Sequence, residues 1–369
     1  MGRKILIPYL MAGLGHFTQA KAISHHLLQL RPDWDVRLFE PARELPDAAM
    51  QRTFIDLWRV MLALPPFAQR AVFGVEHLLP RATRAANRTR FRRAVPRAAA
   101  LLEREKPDLI MSTHWACTTL FAMARGDRRI PLYYVYGEIE ETYSIAECGA
   151  DYYFTLSAKV SNDLQRMGVP RAAIQQVPVI VDPAMMTSAT PREVLRRGLG
   201  IPEHQLAVML SLGGEGIGNY LPFVTAFARD AHGATLIALT GRNARLLEDI
   251  RRTVKSPSVV ALGFQQDLSG VVASADVLAG KSGTGFVSLA LATGKPLIVT
   301  HLGAPNEEGN MRHVVTNGHG WYCPRPAAFV RKVNELAERN ARGPARPAGC
   351  PQPRNGAEDI ARAVVEALP

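Results

Sequence analysis

Cysteine is scarce in this chain. The four that occur, Cys117, Cys148, Cys323 and Cys350, are scattered and form no CxxC pair. That spacing argues against both a zinc site and a disulfide framework, and it fits a reducing compartment. Long apolar runs are also missing: no stretch of 18 apolar residues occurs, so nothing in the sequence reads as a membrane-spanning helix. The apolar run that follows Met1-Gly2-Arg3-Lys4 is broken by Pro8, Gly13 and Gly15, and no small-residue cleavage site follows it. It reads as a first β-strand rather than a signal peptide. Acidic residues are outnumbered, 33 against 44 Lys and Arg, for a net charge of +11. Long polar tracts are absent, and with 47% hydrophobic residues over 369 positions the chain can bury two ordinary domain cores.

What is present is an alternation of strand-like and helical runs. In the first half, strands are predicted at 5–10, 35–39, 108–112, 132–136 and 151–156, with a helix at 18–30. The pattern then restarts, with strands at 207–212, 235–240, 259–262, 275–280 and 295–300 and a helix at 245–254. Such βα series predict an α/β chain with two Rossmann-like domains, parallel sheets and helices on both faces. The expected boundaries are 1–181 for the first domain, 182–356 for the second and 357–369 for a last helix, which could pack back on the first. A ligand is expected in the cleft between the domains.

Glycines cluster at the strand exits. The first series has Gly13-Leu14-Gly15-His16, and the second has Gly213-Gly214-Glu215-Gly216. Further on, Ala279-Gly280-Lys281-Ser282-Gly283-Thr284-Gly285 joins a strand to a helix that ends near Gly294. A helix N-terminus behind a glycine turn offers unpaired N–H groups and positive dipole to a phosphate. Glycines there could equally serve only to make the turn. The Walker A pattern is excluded, because it needs a glycine where Ala275 stands.

Residues 50–104 interrupt the first series. They carry an apolar stripe that includes Trp58, then Phe67 and Phe73. Between Arg81 and Arg104 there are eight arginines (among them Arg84, Arg88, Arg90, Arg92, Arg93 and Arg97) and one acid, Glu103. Apolar residues beside dense arginine suit a surface that lies on anionic lipid. The alternative is a helix pair packed on the sheet with a solvated basic face. Nucleic-acid binding is not expected, since no nucleic-acid motif accompanies the charge.

The order of these motifs resembles a family. The histidine-ended glycine loop comes first. Asp151-Tyr152-Tyr153-Phe154 through Gly168-Val169-Pro170 to Val181-Asp182-Pro183 follows, and then Gly263-Phe264 and the 280–296 unit. Asn306-Glu307-Glu308-Gly309-Asn310 and Asn317-Gly318 close the series. Together they are similar to the GT-B glycosyltransferases that include monogalactosyldiacylglycerol synthases, processive diacylglycerol glucosyltransferases and the peptidoglycan N-acetylglucosaminyltransferase. The resemblance covers most of the chain except 50–104.

The resemblance implies an inverting transfer of a hexose from a UDP-sugar to a lipid hydroxyl, diacylglycerol first, with no cofactor. It implies His16 as general base beside the acceptor loop of Gly13 and Gly15, with Glu138 orienting it or touching acceptor. It implies a donor site of Gly213, Gly214, Gly216, Phe264, Ser282, Gly283, Thr284, Glu307, Glu308 and Asn310. Phe264 would cap the base, and Glu307, Glu308 and Asn310 would bond sugar hydroxyls. No DxD pair stands in the second half's glycine turns, which agrees with metal-free chemistry. The implied place is the inner face of the cell membrane, held there by Trp58, Phe67, Phe73, Arg81, Arg84, Arg88, Arg92 and Arg93. The chain departs from the family at Leu289, where a glutamate usually bonds the ribose; a glutamate restored there is expected to tighten UDP binding. The alternatives are a soluble natural-product or polyprenyl-linked acceptor, and a catalytically silent binding subunit of the same fold.

Overall fold

In the computed structural model the short apolar runs pair into two sheets of six strands, parallel throughout. The structure describes residues 2–11, 15–45, 68, 71, 79–140, 148–211, 213, 214, 216, 218–302, 306–341 and 353–368. Two compact units divide the chain. One comprises Met1–Asp182, Ala304–Asn306 and Asn355–Pro369, and the other Pro183–Gly303 and Glu307–Arg354.

The first unit holds β1 (Lys4–Pro8), β2 (Asp35–Phe39), β3 (Leu109–Ser112), β4 (Leu132–Tyr136), β5 (Tyr152–Thr155) and β6 (Ile174–Gln176), in the order β2-β1-β3-β4-β5-β6. The second holds β7 (Leu206–Ser211), β8 (Ala234–Leu239), β9 (Val259–Leu262), β10 (Val277–Lys281), β11 (Leu297–His301) and β12 (Gly320–Tyr322), in the order β12-β11-β10-β7-β8-β9. Counted from β7, this is the order of the doubly wound dinucleotide-binding fold. Strands β7 and β8 are buried along their whole length, as central parallel strands with both faces covered must be. The edge strands β6 and β12 have three residues each and were not among the predicted strands.

The order reverses between β1 and β3 in one unit and between β7 and β10 in the other. The same device fixes both pairs. Asp108 stands just before β3; its N–H donates to the Lys4 carbonyl at 2.8 Å, and its Oδ2 accepts the Lys4 N–H at 2.7 Å. Asp276 stands just before β10 and makes the same two bonds with Ala207 of β7, both at 2.8 Å. Asp151 repeats the pattern before β5, against Leu132 of β4. Each carboxylate also meets an arginine: Arg3, Arg196 with Arg192, and Arg125 respectively.

The helices Pro80–Phe91 and Val95–Glu105 carry the arginine run. Phe91, Ala94, Ala98, Leu101 and Leu102 point into the core of the first unit, against Leu120 and Phe121 of the helix Trp115–Arg125. Arg88, Arg90, Arg92, Arg93 and Arg97 are exposed. Phe91 thus belongs to the core, not to an outward apolar patch beside the arginines. Glu105 anchors the pair to the sheet, bonding Lys4 of β1 at 2.6 Å and Arg37 of β2 at 2.7 Å. The Lys4 bond, with help from Arg104 and Arg37, outweighs burial and draws its carboxyl down to about 2. Trp58, Phe67 and Phe73 lie outside the described residues, and Arg81 and Arg84 are placed only as part of the first helix. Among the described residues no helix is long and apolar enough to cross a membrane. The helix Gly356–Ala367 packs on the helix Gly15–Leu30 of the first unit.

Arg196 is buried and donates to the carbonyls of Glu203, Gln205 and Ser274 as well as to Asp276. Arg196→Ala leaves these acceptors and a partly buried carboxylate without it, a loss of roughly 3–5 kcal/mol for a fully buried pair. The expectation lies at the lower end, because Asp276 keeps Arg192. Urea unfolding should show a lower midpoint with an unchanged slope. A loss below about 1 kcal/mol would mean that the bonds around Asp276 hold without it.

Candidate active-site residues at the strand switch points

In an open α/β sheet, ligands bind outside the carboxyl ends of the strands where the order reverses. In the first unit that place is the exit of β1 and β3. The helix Gly15–Leu30 starts there, so His16 lies in its first turn, half-buried. His16 Nδ1 lies 2.7 Å from the Thr113 carbonyl oxygen, while Thr113 Oγ1 donates to the His16 carbonyl at 3.0 Å. A carbonyl only accepts, so Nδ1 carries the proton and Nε2 is left as the basic nitrogen. Burial holds the His16 pKa below its ordinary value, against the Thr113 bond that raises it, so the ring is neutral at pH 7.

His114 completes the exit of β3 and was not foreseen from the sequence. It is buried, and its Nδ1 accepts the Ala116 N–H at 3.1 Å, capping the helix Trp115–Arg125. Its ring meets His16 edge-on at 4.6 Å between centroids. Burial, and then the neighbouring His16, keep it well below the usual histidine range.

Glu138 follows β4, next to Gly137, whose carbonyl accepts from Gln19 Nε2 at 3.3 Å. The bond that orients the His16 ring at Nδ1 comes from Thr113. Gly15 opens the helix and is exposed, and Gly13 lies outside the described residues.

In the second unit the switch point is the exit of β7 and β10. Gly213 has φ +88 and Gly216 φ +63, and a Cβ on Gly216 would lie 2.0 Å from the Thr240 carbonyl oxygen, so glycine is required there. At the other strand exit, Gly280 is the conformationally demanding residue: a Cβ would come 1.8 Å from the Ser211 carbonyl oxygen. Gly283, by contrast, has φ −61 and only ordinary contacts for an added Cβ. It stands at the start of the helix Thr284–Ala292 and brings no side chain of its own to cap it.

Glu307 and Asn310 brace this turn from the helix Asn306–Thr316. Ser282 Oγ donates to the Glu307 carbonyl at 2.8 Å. The Asn310 amide is buried and donates to the Ser282 carbonyl and to Thr284 Oγ1, both at 3.0 Å. The Glu307 carboxylate, 8% exposed, is ion-paired with Lys281 Nζ at 2.7 Å. A sugar hydroxyl could reach Glu307 only by sharing that carboxylate with Lys281. Glu308 is partly exposed one position on. Phe264 follows β9 and is 48% exposed, which sets core packing aside; the Arg242 guanidinium lies 4.4 Å over its ring.

No family model matches the chain. Its fold matches a UDP-GlcNAc 2-epimerase from Neisseria meningitidis solved with UDP-GlcNAc: TM-score 0.64, 14% identity, covering 98% of this chain and 100% of that one. It also matches MurG of Acinetobacter baumannii, with a TM-score of 0.61, 12% identity and 99% of both chains covered. These likenesses define the fold class: the chain is an α/β protein with the two-unit GT-B fold. In sequence it is similar to the chloroplastic monogalactosyldiacylglycerol synthase of Spinacia oleracea, 28% identical over 186 residues. That match covers 48% of this chain and 36% of the spinach protein, so it spans about a third of that relative's length.

Leu289 is 4% exposed in a helix whose residues 287–292 are all buried. It is a core position, and the expectation that a glutamate there would reach a ribose is corrected: the side chain faces packing, not open space. Losing a buried leucine side chain costs about 2–5 kcal/mol, and a carboxylate without a partner adds to it. Leu289→Glu should therefore lower the melting temperature sharply. A variant with parental stability and tighter UDP binding would place this face at the ligand instead.

Proposed function

We propose that the chain is an inverting glycosyltransferase that moves a hexose from a UDP-sugar to a lipid hydroxyl, diacylglycerol first, giving a β-glycolipid. The C-terminal unit holds the donor, and the N-terminal unit activates the acceptor. The observation that carries this reading is the hydrogen bonding of His16. Its Nδ1–H is held by the Thr113 carbonyl at 2.7 Å, which leaves Nε2 to take a proton, and burial favours the neutral ring. The similarity to a monogalactosyldiacylglycerol synthase supports the choice of a lipid acceptor.

In the proposed step the acceptor O–H gives its proton to His16 Nε2 while its oxygen attacks the anomeric carbon. The bond from that carbon to the diphosphate oxygen breaks. The departing charge falls on backbone N–H groups at Gly213–Gly216 and at the start of the helix Thr284–Ala292. The exposed arginines of residues 88–97 lie on anionic headgroups at the inner face of the cell membrane and bring the acceptor within reach.

The direct test is a panel of radiolabelled UDP-sugars with mixed membrane lipid. His16→Ala should lower turnover by about 10²–10⁴-fold while UDP binding stays the same. Because the His16 pKa is depressed, the basic form persists below pH 6.5. The acid limb of kcat/KM should therefore fall below the ordinary histidine range in the parent and be missing from the residual activity of the variant. Near-parental turnover of His16→Ala would remove the base from this mechanism. Activity on soluble acceptors but not on lipid would move the reading to another acceptor class. No UDP binding at millimolar ligand would favour a silent binding subunit.

The membrane contact has its own measurement. Each basic residue near an anionic surface contributes about 1 kcal/mol, and the attraction fades within a Debye length. Flotation with phosphatidylglycerol vesicles should be strong, salt-sensitive and much weaker with neutral vesicles. Changing Arg88, Arg92 and Arg93 together to glutamate should cut flotation and lipid glycosylation in parallel and leave UDP binding alone. Equal flotation of parent and triple variant would reduce the basic run to a solvated face.

A further inference from the structure

Two imidazoles meet at the exit of β1 and β3, and their hydrogen bonds give them opposite tautomers. The Thr113 carbonyl fixes the proton of His16 on Nδ1. The Ala116 N–H, 3.1 Å from His114 Nδ1, can only donate. That nitrogen therefore carries no proton, and the neutral His114 ring holds its hydrogen on Nε2. Thr113 and His114 are consecutive, so one short stretch of chain sets both rings. That stretch is itself tied down. The Thr113 N–H donates to the Pro8 carbonyl at the end of β1 at 3.2 Å. The His114 N–H donates to Ser112 Oγ at 3.2 Å, and the His114 carbonyl accepts from Ser112 Oγ at 2.9 Å and from Thr118 Oγ1 at 3.1 Å. Trp115 stacks on the His114 ring, 5.8 Å between centroids.

We propose that His114 is the positioning residue of the base: its locked ring holds the His16 ring at a fixed angle and leaves His16 Nε2 as the proton acceptor of the pair. The inference rests on the reading of His16 as general base. Three observations support it. The first is contact. The two rings stand 4.6 Å apart between centroids at 77°. One hydrogen bond at Nδ1 lets a ring rock about it, and a ring packed edge-on removes that freedom. The second is the cost of each protonation. A proton on His114 Nδ1 would break the bond that caps the helix Trp115–Arg125, whereas a proton on His16 Nε2 leaves the Thr113 bond in place. Two charged imidazoles at this distance repel, so the pair takes one proton, and the cap decides which ring takes it. The third is burial. His114 is buried against His16, and burial draws both rings toward the neutral form. The titratable groups at this edge are Tyr9 after β1, Glu40 after β2, His114 after β3, and Tyr136 and Glu138 at the end of β4. The shift at His16 has two causes, burial and the Thr113 bond; that at His114 also has two, burial and His16.

Long-range ¹⁵N NMR of the histidine rings in the full chain reads tautomer and titration directly, with His16→Gln and His114→Asn to assign the two signals. In the parent, His16 should hold its proton on Nδ1 and His114 on Nε2, and as the pH falls His16 should take a second proton before His114 does. His114→Asn keeps a side-chain oxygen for the Ala116 N–H and removes the ring. Water then reaches His16, so its pKa should rise toward the ordinary value of 6.5, and the acid limb of kcat/KM should rise with it. Turnover should fall about 10- to 100-fold, the range for a displaced reacting group, with KM and UDP binding unchanged. His114→Phe keeps a ring in contact and loses the cap. Its melting temperature should fall, while its His16 titration and turnover stay closer to the parent's than those of His114→Asn. A merely structural role predicts the reverse: turnover would follow melting temperature in both variants, and the His16 titration would not move. Unchanged titration and turnover in His114→Asn would overturn the proposal, as would a parent in which His114 protonates first. A parent that transfers no sugar would instead sink the reading of His16 as base. An active parent with an indifferent His114→Asn sinks only the role of His114.

Discussion

An aspartate placed one residue before a strand holds this molecule's two switch points together. Asp108 and Asp276 each pair twice with one residue of the strand beside them, through their own N–H and through the carboxylate. In a parallel sheet the ladder bonds are slanted, and the first N–H of a strand has no partner from the ladder alone. A carboxylate at that point satisfies the N–H and sets the register in one step. Both pairs so fixed, β1 with β3 and β7 with β10, are the pairs from which the chain leaves in opposite directions. The geometry at their far ends follows from this. Thr113 can meet His16, and Gly280 can approach Ser211, only if the strands that carry them start in register.

The two switch points then diverge in chemistry. In the N-terminal unit the space at the strand exits is filled by imidazole: His16 with a defined proton position, and His114 locked by a helix-capping bond. Both are pushed toward the neutral form by burial, which suits proton uptake rather than anion binding. In the C-terminal unit the corresponding space is lined by backbone. Gly216 and Gly280 sit where side chains do not fit, Gly213 has the positive φ that favours glycine, and the Ser282 hydroxyl, the Asn310 amide N–H groups and the Glu307–Lys281 pair hold the turn. On the proposed reading, one site takes a proton and the other receives negative charge. Fold alone does not separate transferases from epimerases among the neighbours. The hydrogen bonding of His16 and the similarity to a monogalactosyldiacylglycerol synthase are what support the proposed transfer to a hydroxyl.

Much of this was legible in the sequence. Central strands such as β7 and β8 are buried on both faces and stand out as continuous apolar runs, and glycine clusters mark their exits. The edge strands β6 and β12 were missed because three residues are too few to show any period. His114 was missed for a different reason: it ends a predicted strand, but only the spatial order puts that strand beside β1. The bond from Asn243 to Gly216 escaped likewise, since it joins turns that are 27 residues apart. Leu289 shows the converse. A motif comparison placed it at a ligand-facing position, whereas the helix that carries it is apolar on every side, and a continuous apolar segment gives no amphipathic signal of which face looks outward.

The burial of Leu289 also bears on how a nucleotide could be held. On the proposed donor reading, with that position given to packing, a ribose has no carboxylate partner at 289, and affinity has to come from the two ends of the nucleotide. At one end is an exposed aromatic ring, Phe264. At the other is the glycine turn that leads into the helix Thr284–Ala292. Lys281 cannot meet a ligand without sharing or breaking its pair with Glu307, and a carboxylate so nearly buried is costly to leave alone. The same pair therefore keeps the glycine turn braced and keeps its own cation from the ligand. On the proposed reading, a donor site organised in this way depends on backbone geometry for its shape, because the turn's one lysine is already matched by a carboxylate.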